Sequence, residues 1–316
     1  MSPSVVVNDC NSKSPIQLTP SMLPPCDDVV FWDSSFFTRP GAPPILPSPP
    51  EILAAAERLK PNTWLKRTIW YPDLGLVVKY GLEVDPREGQ CLWAIRRFLG
   101  DAIPVPEVYG WSTYDQYGFI YMELIQGMTL EERWDSLGEE ERLGVCDELH
   151  RMVKSLRRLQ QDPEDQFVGH IGRQPLLDII FVDHRKGPVG PLPSVQSFHD
   201  KFATLHYRDH YVRTSPDPYR IMLPDNAPIV FTHGDLHPRN IILSASGAGP
   251  VRVLAIVDWQ QSGWLPAYWE ACKAFWTTWG TPSGTIWAEK YLPRILEQMS
   301  VAEHTGWEWF VLSNGM

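Results

Sequence analysis

Asp235, Asn240 and Asp258 lie around two short apolar runs, and this arrangement constrains the fold more than any other feature of the chain. One run follows Asn240 and the other precedes Asp258, with the small, glycine-containing segment 244–250 between them. Apolar, β-branched runs on either side of such a turn predict a β-hairpin. Because the turn lies midway, Asn240 and Asp258 are expected at the same open end, with Asp235 on the loop before it.

Two carboxylates and an amide oxygen in one place suit phosphoryl transfer. That reaction needs in-line positioning, an acceptor for the hydroxyl proton, and Mg²⁺ held by oxygen ligands against a triphosphate. We therefore predict that Asp235 is the catalytic base, that Asn240 and Asp258 are the metal ligands, and that the cofactors are ATP and Mg²⁺. The alternative is that Asp235 and Asn240 cap a turn and that Asp258 only ends a strand.

The run HGDLHPRN at residues 233–240 resembles the kinase catalytic loop H-R-D-x-x-x-x-N, with Gly234 in place of arginine and Asp258 in place of the DFG aspartate. Its HGDxHxxN form is similar to the aminoglycoside phosphotransferase and choline kinase branch. The stretch IVDWQQSGWLPAYWE at 256–270 is similar to fungal phosphotransferase-family proteins. The resemblance spans roughly 76–275, and it implies an α+β, protein-kinase-like fold with a small β-rich N-lobe and a larger helical C-lobe.

Lys79 ends a valine-rich segment, at the place where kinases hold the lysine that contacts the α- and β-phosphates. Glu88, near the start of the following helix, is the predicted partner of this lysine. Glu83 also precedes that helix and is the alternative partner. On its own, a lysine at the end of such a strand is more often an exposed surface residue.

Met122, Glu123 and Leu124 resemble the hinge of a kinase, where adenine bonds to backbone groups and stacks on apolar side chains. We predict that these residues bind the nucleotide. No particular side chain is required at such a position, and a plain linker between lobes is compatible with the same residues.

Several other residues near the motif have expected roles, and most of them have two interpretations. His233 is expected to hydrogen bond to backbone, and Arg239 either neutralises phosphate or faces solvent. His237 is equally ambiguous. The aromatic run 264–279 is expected in the core, with a cation-binding wall as the alternative, and Glu270 within it either forms a structural ion pair or grips a substrate amine.

The patterns along the chain divide it into three parts. Residues 1–28 have few large apolar groups and are expected to be a disordered tail. Residues 29–125 contain a proline-rich lead-in, a short helix to about residue 59, a hairpin over 63–80, a helix over 87–99 and two extended segments, and they form the predicted N-terminal lobe. The amphipathic helical patterns within 126–316 form the predicted C-terminal lobe with the catalytic loop.

Two features that kinases of the protein class possess are absent from the sequence. The segment 62–72, NTWLKRTIWYP, has no glycine, so a glycine-rich phosphate loop is missing before Lys79. No activation segment follows Asp258. The sequence therefore favours a small-molecule acceptor with a hydroxyl group, with an amine as a further expected feature. The main alternative is a catalytically degenerate kinase fold that binds a ligand or partner.

Composition limits the partners. The chain of 316 residues has 28 Lys and Arg against 38 Asp and Glu, a formal charge of −10, which argues against a nucleic-acid partner. Its five cysteines are widely spaced without a CxxC pair, so neither a zinc site nor a disulfide framework is indicated. With no long apolar stretch, we expect a cytoplasmic monomer without a membrane partner.

Overall fold

The computed structural model describes residues 14–59, 67–182, 187–205, 217–247, 249–278 and 282–315. Within them, a sheet-rich N-lobe precedes a larger, mostly helical C-lobe. The elements up to the end of the N-lobe are β1 (Ile16–Gln17), β2 (Val29–Val30), α1 (Ser35–Thr38), α2 (Pro49–Leu59), β3 (Arg67–Tyr71), β4 (Leu76–Gly81), α3 (Pro86–Leu99), β5 (Val108–Tyr114) and β6 (Tyr117–Glu123).

The N-lobe is built on one antiparallel sheet with the strand order β2-β5-β6-β4-β3. Side chains alternate between its two faces, so a strand residue contributes to one core or the other. Leu76, Val78 and Tyr80 of β4 pack with Ile52 of α2 on one face. The opposite face, which includes Met122, packs in a different core with α3 and with residues of the C-lobe.

Local sequence explains where α3 begins and ends. The Asp85 side chain caps the helix by accepting the Arg87 N–H at 2.9 Å, and Pro86 fills the first helical position. A glycine in the helix lets it approach the sheet closely, because a Cβ on Gly89 would lie 2.5 Å from the Trp111 ring. The helix predicted over 87–99 is thus confirmed. The predicted hairpin strand that carries Lys79 is also present, as β4. Residues 63–66 of that predicted hairpin lie outside the described residues.

The C-lobe contains short strands around the predicted catalytic loop and helices behind them. A π-helical turn (Trp287–Tyr291) joins two of these helices. In chain order, the elements are β7 (Met128–Thr129), α4 (Leu130–Arg133), α5 (Glu139–Leu156), β8 (Leu159–Gln160), α6 (Val195–Phe202), β9 (Ile229–Thr232), β10 (Ile241–Leu243), β11 (Val253–Ile256), β12 (Gly263–Pro266), α7 (Trp269–Trp276), α8 (Pro282–Ile286), α9 (Leu292–Ile295) and α10 (Val301–Ser313).

The predicted hairpin after the catalytic loop is formed by β10 and β11, which are antiparallel with Ile241 opposite Ile256. At its open end the Val257 N–H donates to the Asn240 carbonyl at 2.9 Å. This bond extends the ladder by one step and places Asp258 immediately beyond Asn240. β9 pairs with β12 and leads directly into the loop that begins at His233.

The N-terminal segment differs from the expected tail. Residues 1–13 lie outside the described residues, but β1 pairs in parallel with β8 of the C-lobe, and Leu18 is buried. The Pro24 carbonyl accepts a hydrogen bond of 2.6 Å from Gln90 of α3. Residues 14–28 are therefore docked on both lobes, because β8 and α3 provide partners that composition alone does not reveal. Within the described residues no helix is long and apolar enough to cross a membrane.

Candidate active site

The loop that carries Asp235 is held from behind by a buried carboxylate. Glu270 of α7 is 2% exposed, and it accepts the His233 N–H at 2.6 Å and the Gly234 N–H at 3.0 Å. Glu270 was expected to form an ion pair or to grip a substrate amine; instead its hydrogen bonds go to the loop backbone, near the partly buried Arg157. It is a positioning residue, because it fixes the two peptide groups before Asp235.

His233 orients the same loop through both ring nitrogens. Its Nδ1 accepts the Asp235 N–H at 3.1 Å, so the proton lies on Nε2, which donates to the Val257 carbonyl at 3.0 Å. The predicted backbone role of this histidine agrees with these contacts. Since Val257 precedes Asp258, the imidazole ties the loop of the predicted base to the strand end of the predicted metal ligand.

Gly234 occupies the position of the arginine in the kinase motif, and the structure explains why a residue without a side chain is needed there. Its φ is +77°, in the left-handed region that glycine adopts without strain. A Cβ there would lie 2.4 Å from the Gln261 carbonyl oxygen. The loop after Asp258 therefore packs directly on the backbone of the catalytic loop, which a larger residue would prevent.

Asp235 and Asn240 meet across the short turn between them. The Asn240 side-chain amide donates to the Asp235 carbonyl at 2.9 Å and to the Asp235 Oδ2 at 3.2 Å. Both side chains are partly exposed. These bonds occupy the nitrogen of the Asn240 amide and leave its Oδ1 as the oxygen available to a metal ion.

Lys79 joins the two lobes. Its Nζ lies 2.5 Å from the Glu88 Oε2 and 2.8 Å from the Asp258 Oδ1, and the lysine is 4% exposed. Burial opposes the charge on this ammonium, but the two carboxylates outweigh it and raise the pKa of Lys79 above its ordinary value. The structure thus selects Glu88 over Glu83 as its partner and brings Asp258 to the same ammonium.

Asp258 has an unusual backbone conformation, with φ of +63° and ψ of +61°. Such a left-handed conformation in a residue with a Cβ costs on the order of 1 kcal/mol, and residues of this kind are enriched at functional sites. The next turn is anchored to the N-lobe, since the Gln260 side chain donates to the Glu83 carbonyl at 2.9 Å. Glu83 therefore contributes a carbonyl to this region and not the ion pair considered for it.

The hinge-like residues begin at the end of β6. Met122 is buried on the face of the sheet that packs with α3, while Glu123 and Leu124 use their N–H groups within the N-lobe, donating to the carbonyls of Glu107 at 2.8 Å and Gly75 at 3.0 Å. These two N–H groups cannot bind a base without breaking those bonds. The next N–H along the chain belongs to Ile125.

His237 and Arg239 lie on the outer side of the loop. The Arg239 guanidinium forms an ion pair with Glu131 at 2.7 Å, and its side chain is 70% exposed, so in this structure it faces solvent. His237 accepts the Arg239 N–H through Nδ1 at 3.2 Å. Burial lowers the pKa of His237 below its ordinary value, although the Asp235 charge raises it.

The aromatic run 264–279 belongs mainly to the core, as predicted. Trp264, Tyr268 and Trp269 are buried, whereas Trp279 lies outside the described residues. Trp269 packs edge-on against Phe198 with ring centroids 4.9 Å apart. No cation-binding wall is formed by the buried members of this run.

One buried network behind the site was not predicted. Lys273, one helical turn after Glu270 on α7, bonds to the Asp178 Oδ1 at 3.0 Å and to the Gln261 Oε1 at 2.8 Å. Lys273 and Asp178 are both buried. Helix α7 therefore holds the loop of Asp235 through Glu270 and the turn after Asp258 through Lys273. An apolar helix with Glu and Lys at i and i+3 was the only signal in the sequence.

Asn240 and Asp258 fit a Mg²⁺ ion better than a metal that needs a protein cage. In the described part of the chain no group of three or more His, Cys, Asp or Glu is placed to hold a metal ion. Mg²⁺ usually binds one or two protein oxygens and completes its shell with water and substrate phosphates. The donor set is therefore chemically suited to a metal that arrives with a nucleotide.

Several solved structures are similar to this chain. One is a thermostable mutant of aminoglycoside phosphotransferase APH(4)-Ia, with 15% identity, a TM-score of 0.48, and coverage of 76% of this chain and 78% of that chain. Another is an aminoglycoside-3'-phosphotransferase of type VIII, with 14% identity, a TM-score of 0.44, and coverage of 83% and 97%. No curated protein matches the sequence significantly.

The sequence itself also matches a family. Residues 86–310, which are well over half of the chain, match the phosphotransferase enzyme family. The matched region begins with α3, includes the catalytic loop and the β10–β11 hairpin, and reaches α10. With the two lobes described above, this match confirms the predicted α+β, kinase-like fold class. The chain belongs to the phosphotransferase enzyme family.

Proposed function

We propose that this protein transfers the γ-phosphoryl group of Mg-ATP to a hydroxyl group of a small molecule. The observation that carries the proposal is that Lys79 of the N-lobe lies 2.8 Å from Asp258 of the C-lobe, while Asn240 bonds to Asp235. A positive group for phosphates, two oxygen ligands for a metal and a carboxylate base are thus gathered between the lobes. Phosphoryl transfer requires this combination.

Each side chain has one role in this reaction. Lys79, oriented by Glu88, neutralises charge on the phosphates, and Asn240 and Asp258 provide oxygen ligands for Mg²⁺. When bound, Mg²⁺ would offset the negative charge of the triphosphate. Asp235 accepts the proton from the acceptor hydroxyl as that oxygen attacks the γ-phosphorus, and the bond from the γ-phosphorus to the β–γ bridging oxygen breaks to release ADP. Glu270 and His233 keep the Asp235 backbone in place for this step.

A small cavity of about 170 Å³ beside the catalytic loop is the proposed acceptor site. Its walls combine the loop residues His237 and Arg239 with Trp134 and Trp287 from the C-lobe. Asp135 adds an exposed carboxylate to the same lining, and Glu131 adds a second one that forms the ion pair with Arg239. This mixture of aromatic and acidic groups fits an acceptor that bears an amine as well as a hydroxyl.

The first experiment tests the nucleotide site. Mg-ATP at about 100 times its dissociation constant stabilises a protein by roughly 2.7 kcal/mol, which a thermal or urea denaturation measures. We expect this stabilisation for the wild type, and we expect Asp258→Ala to lose the part that depends on Mg²⁺. If neither protein responds to Mg-ATP, the proposed function is wrong.

The second experiment separates catalysis from binding. A screen of hydroxyl-bearing metabolites for ADP release identifies an acceptor, and Asp235→Asn is then compared with the wild type on that acceptor. Loss of turnover with retained Mg-ATP binding supports the base role of Asp235. A wild type that binds Mg-ATP but releases no ADP with any acceptor supports the alternative of a kinase fold that binds without turnover.

A further inference from the structure

Residues 16–30 run along the side of the molecule where α3 lies, and we call this segment the strap. It begins on the C-lobe, where β1 pairs with β8, and it ends on the N-lobe, where β2 pairs with β5. Between these strands the Pro24 carbonyl accepts the hydrogen bond of 2.6 Å from Gln90 of α3. The strap precedes residues 86–310, which match the family, and the catalytic machinery above gives it no role.

Both ends of the strap are fixed to the fold. Leu18 near its start is 4% exposed, lies in the core that α3 shares with the C-lobe, and donates its N–H to the Gln160 carbonyl at 2.8 Å. Near its end, the Asp28 carboxylate accepts the Thr113 N–H of β5 at 2.8 Å. Because the two ends lie on different lobes, the lobes cannot separate on this side unless some of these contacts break.

Helix α3 is covered on every side where it passes the strap. Residues 88–92 are all buried, and five consecutive residues span more than one helical turn of about 3.6 residues. Glu88 and Gln90 are two positions apart, which is about 200° around the helix axis, so they point to nearly opposite sides. Glu88 pairs with Lys79, whereas Gln90 donates to Pro24. The N-lobe sheet and the strap therefore hold α3 from two sides.

Gln90 is a polar side chain in a buried place, and the strap provides its partner. It is 4% exposed, and within the described residues its Oε1 has no hydrogen-bond partner. The bond from Nε2 to the Pro24 carbonyl therefore orients this amide. A buried amide without any partner is unfavourable, so this residue type at position 90 suits a helix that carries the strap.

We propose that the strap is a positioning segment that holds α3 where Glu88 pairs with Lys79. The inference rests on the proposed function, because it concerns the lysine that contacts the phosphates of Mg-ATP. If the strap leaves, α3 loses the support opposite Glu88, and Lys79 keeps Asp258 as its carboxylate partner. The ammonium is then drawn toward the metal ligand and away from the nucleotide, so binding of the phosphates weakens while the base site is unchanged.

The test compares two ligands on four proteins. Isothermal titration calorimetry measures the affinity of Mg-ATP and of adenosine, which has the base but no phosphates, for the wild type, Gln90→Leu, Leu18→Ala and Leu292→Ala. Leu292 is the matched control for Leu18, because it is also 4% exposed in the same core but belongs to α9, which packs mainly on α5 and on the π-helical turn. The urea midpoint of each variant shows that it is folded.

We expect Gln90→Leu and Leu18→Ala to weaken Mg-ATP binding about fivefold, the equivalent of one neutral hydrogen bond, with the affinity for adenosine unchanged. Leu292→Ala should lose as much stability as Leu18→Ala but bind both ligands like the wild type. Unchanged Mg-ATP affinity in Gln90→Leu and Leu18→Ala, or an equal loss in Leu292→Ala, would overturn the positioning role alone. Equal losses for the two ligands would also overturn it, since the strap would then shape the whole cleft. A wild type that does not bind Mg-ATP overturns the proposed function itself.

Discussion

Replacing Glu270 with glutamine tests how the catalytic loop is held. The wild-type carboxylate accepts two backbone N–H groups, from His233 at 2.6 Å and from Gly234 at 3.0 Å, and it is 2% exposed. Glutamine has nearly the same shape but only one acceptor oxygen. One of the two N–H groups would then face an NH₂ group and lose its acceptor in a buried place.

The structure sets the size of the effect. A hydrogen bond to a charged acceptor contributes about 1.5–3 kcal/mol, and a buried donor left unsatisfied has a similar cost. We therefore expect Glu270→Gln to lower the free energy of unfolding by about 2–3 kcal/mol. Because Asp235 follows Gly234 directly, we also expect the phosphoryl-transfer rate to fall on the order of 100-fold, the usual result of a misplaced catalytic group.

Urea denaturation followed by near-ultraviolet circular dichroism measures the stability, and ADP release measures the rate. Glu289→Gln is the matched control, since Glu289 is an exposed glutamate of the same lobe and its change should alter stability by less than about 0.5 kcal/mol. If Glu270→Gln unfolds at the same urea concentration as the control, the two backbone bonds do not stabilise the loop as argued.

Three further predictions concern the surroundings of the site. Lys273→Met should destabilise the protein by about 3–5 kcal/mol in urea denaturation, because it leaves Asp178 buried without its cation. Lys290→Met, which removes an exposed ion pair, is the control and should change stability by less than about 1 kcal/mol. Equal effects of the two substitutions would contradict this prediction. Burial lowers the pKa of His170 from 6.5 to about 3, so only the unfolded state binds a proton here between these pH values. The contribution of His170 to stability is therefore full above pH 6.5 and declines by about 2 kcal/mol as the pH falls to about 5. In urea titrations at several pH values, the same dependence of stability on pH in His170→Gln as in the wild type would refute this prediction. Gly234→Ala forces a Cβ against the Gln261 carbonyl, so it should reduce the rate of ADP release without abolishing Mg-ATP binding in calorimetry. A normal rate of ADP release would contradict this, since it would show that the loop can shift to make room for the Cβ.

Much of the candidate site could be predicted because its members are joined by short chain segments. Asp235 and Asn240 are five residues apart, and a hairpin necessarily brings Asn240 next to Asp258. The strand that presents Lys79 also followed from its β-branched and aromatic residues. Such features depend on local geometry, which runs of strand-forming residues and a glycine-containing turn are enough to specify.

Contacts between segments that are distant in the chain were harder to predict from the sequence. The sequence predicted Glu88 as the partner of Lys79 but did not exclude Glu83, because the choice depends on how far α3 has turned when it packs on the sheet. Glu270 has an ordinary position in an apolar helix, and its bonds to the catalytic loop cross 36 and 37 residues of chain. Residues 14–28 were expected to be a tail, since their composition does not reveal that α3 and β8 offer them partners.

The sequence by itself was therefore enough to predict the fold class and to name the candidate residues of the site. Tertiary structure decided how these residues are connected: Lys79 reaches Asp258 across 179 residues, and α7 supports both loops from behind. It also placed Lys79 on the face of the N-lobe sheet that looks toward the C-lobe, since that depends on strand register. The physical reason is that local patterns are set by the preferences of neighbouring residues, whereas long-range contacts form only when whole elements pack and exclude water.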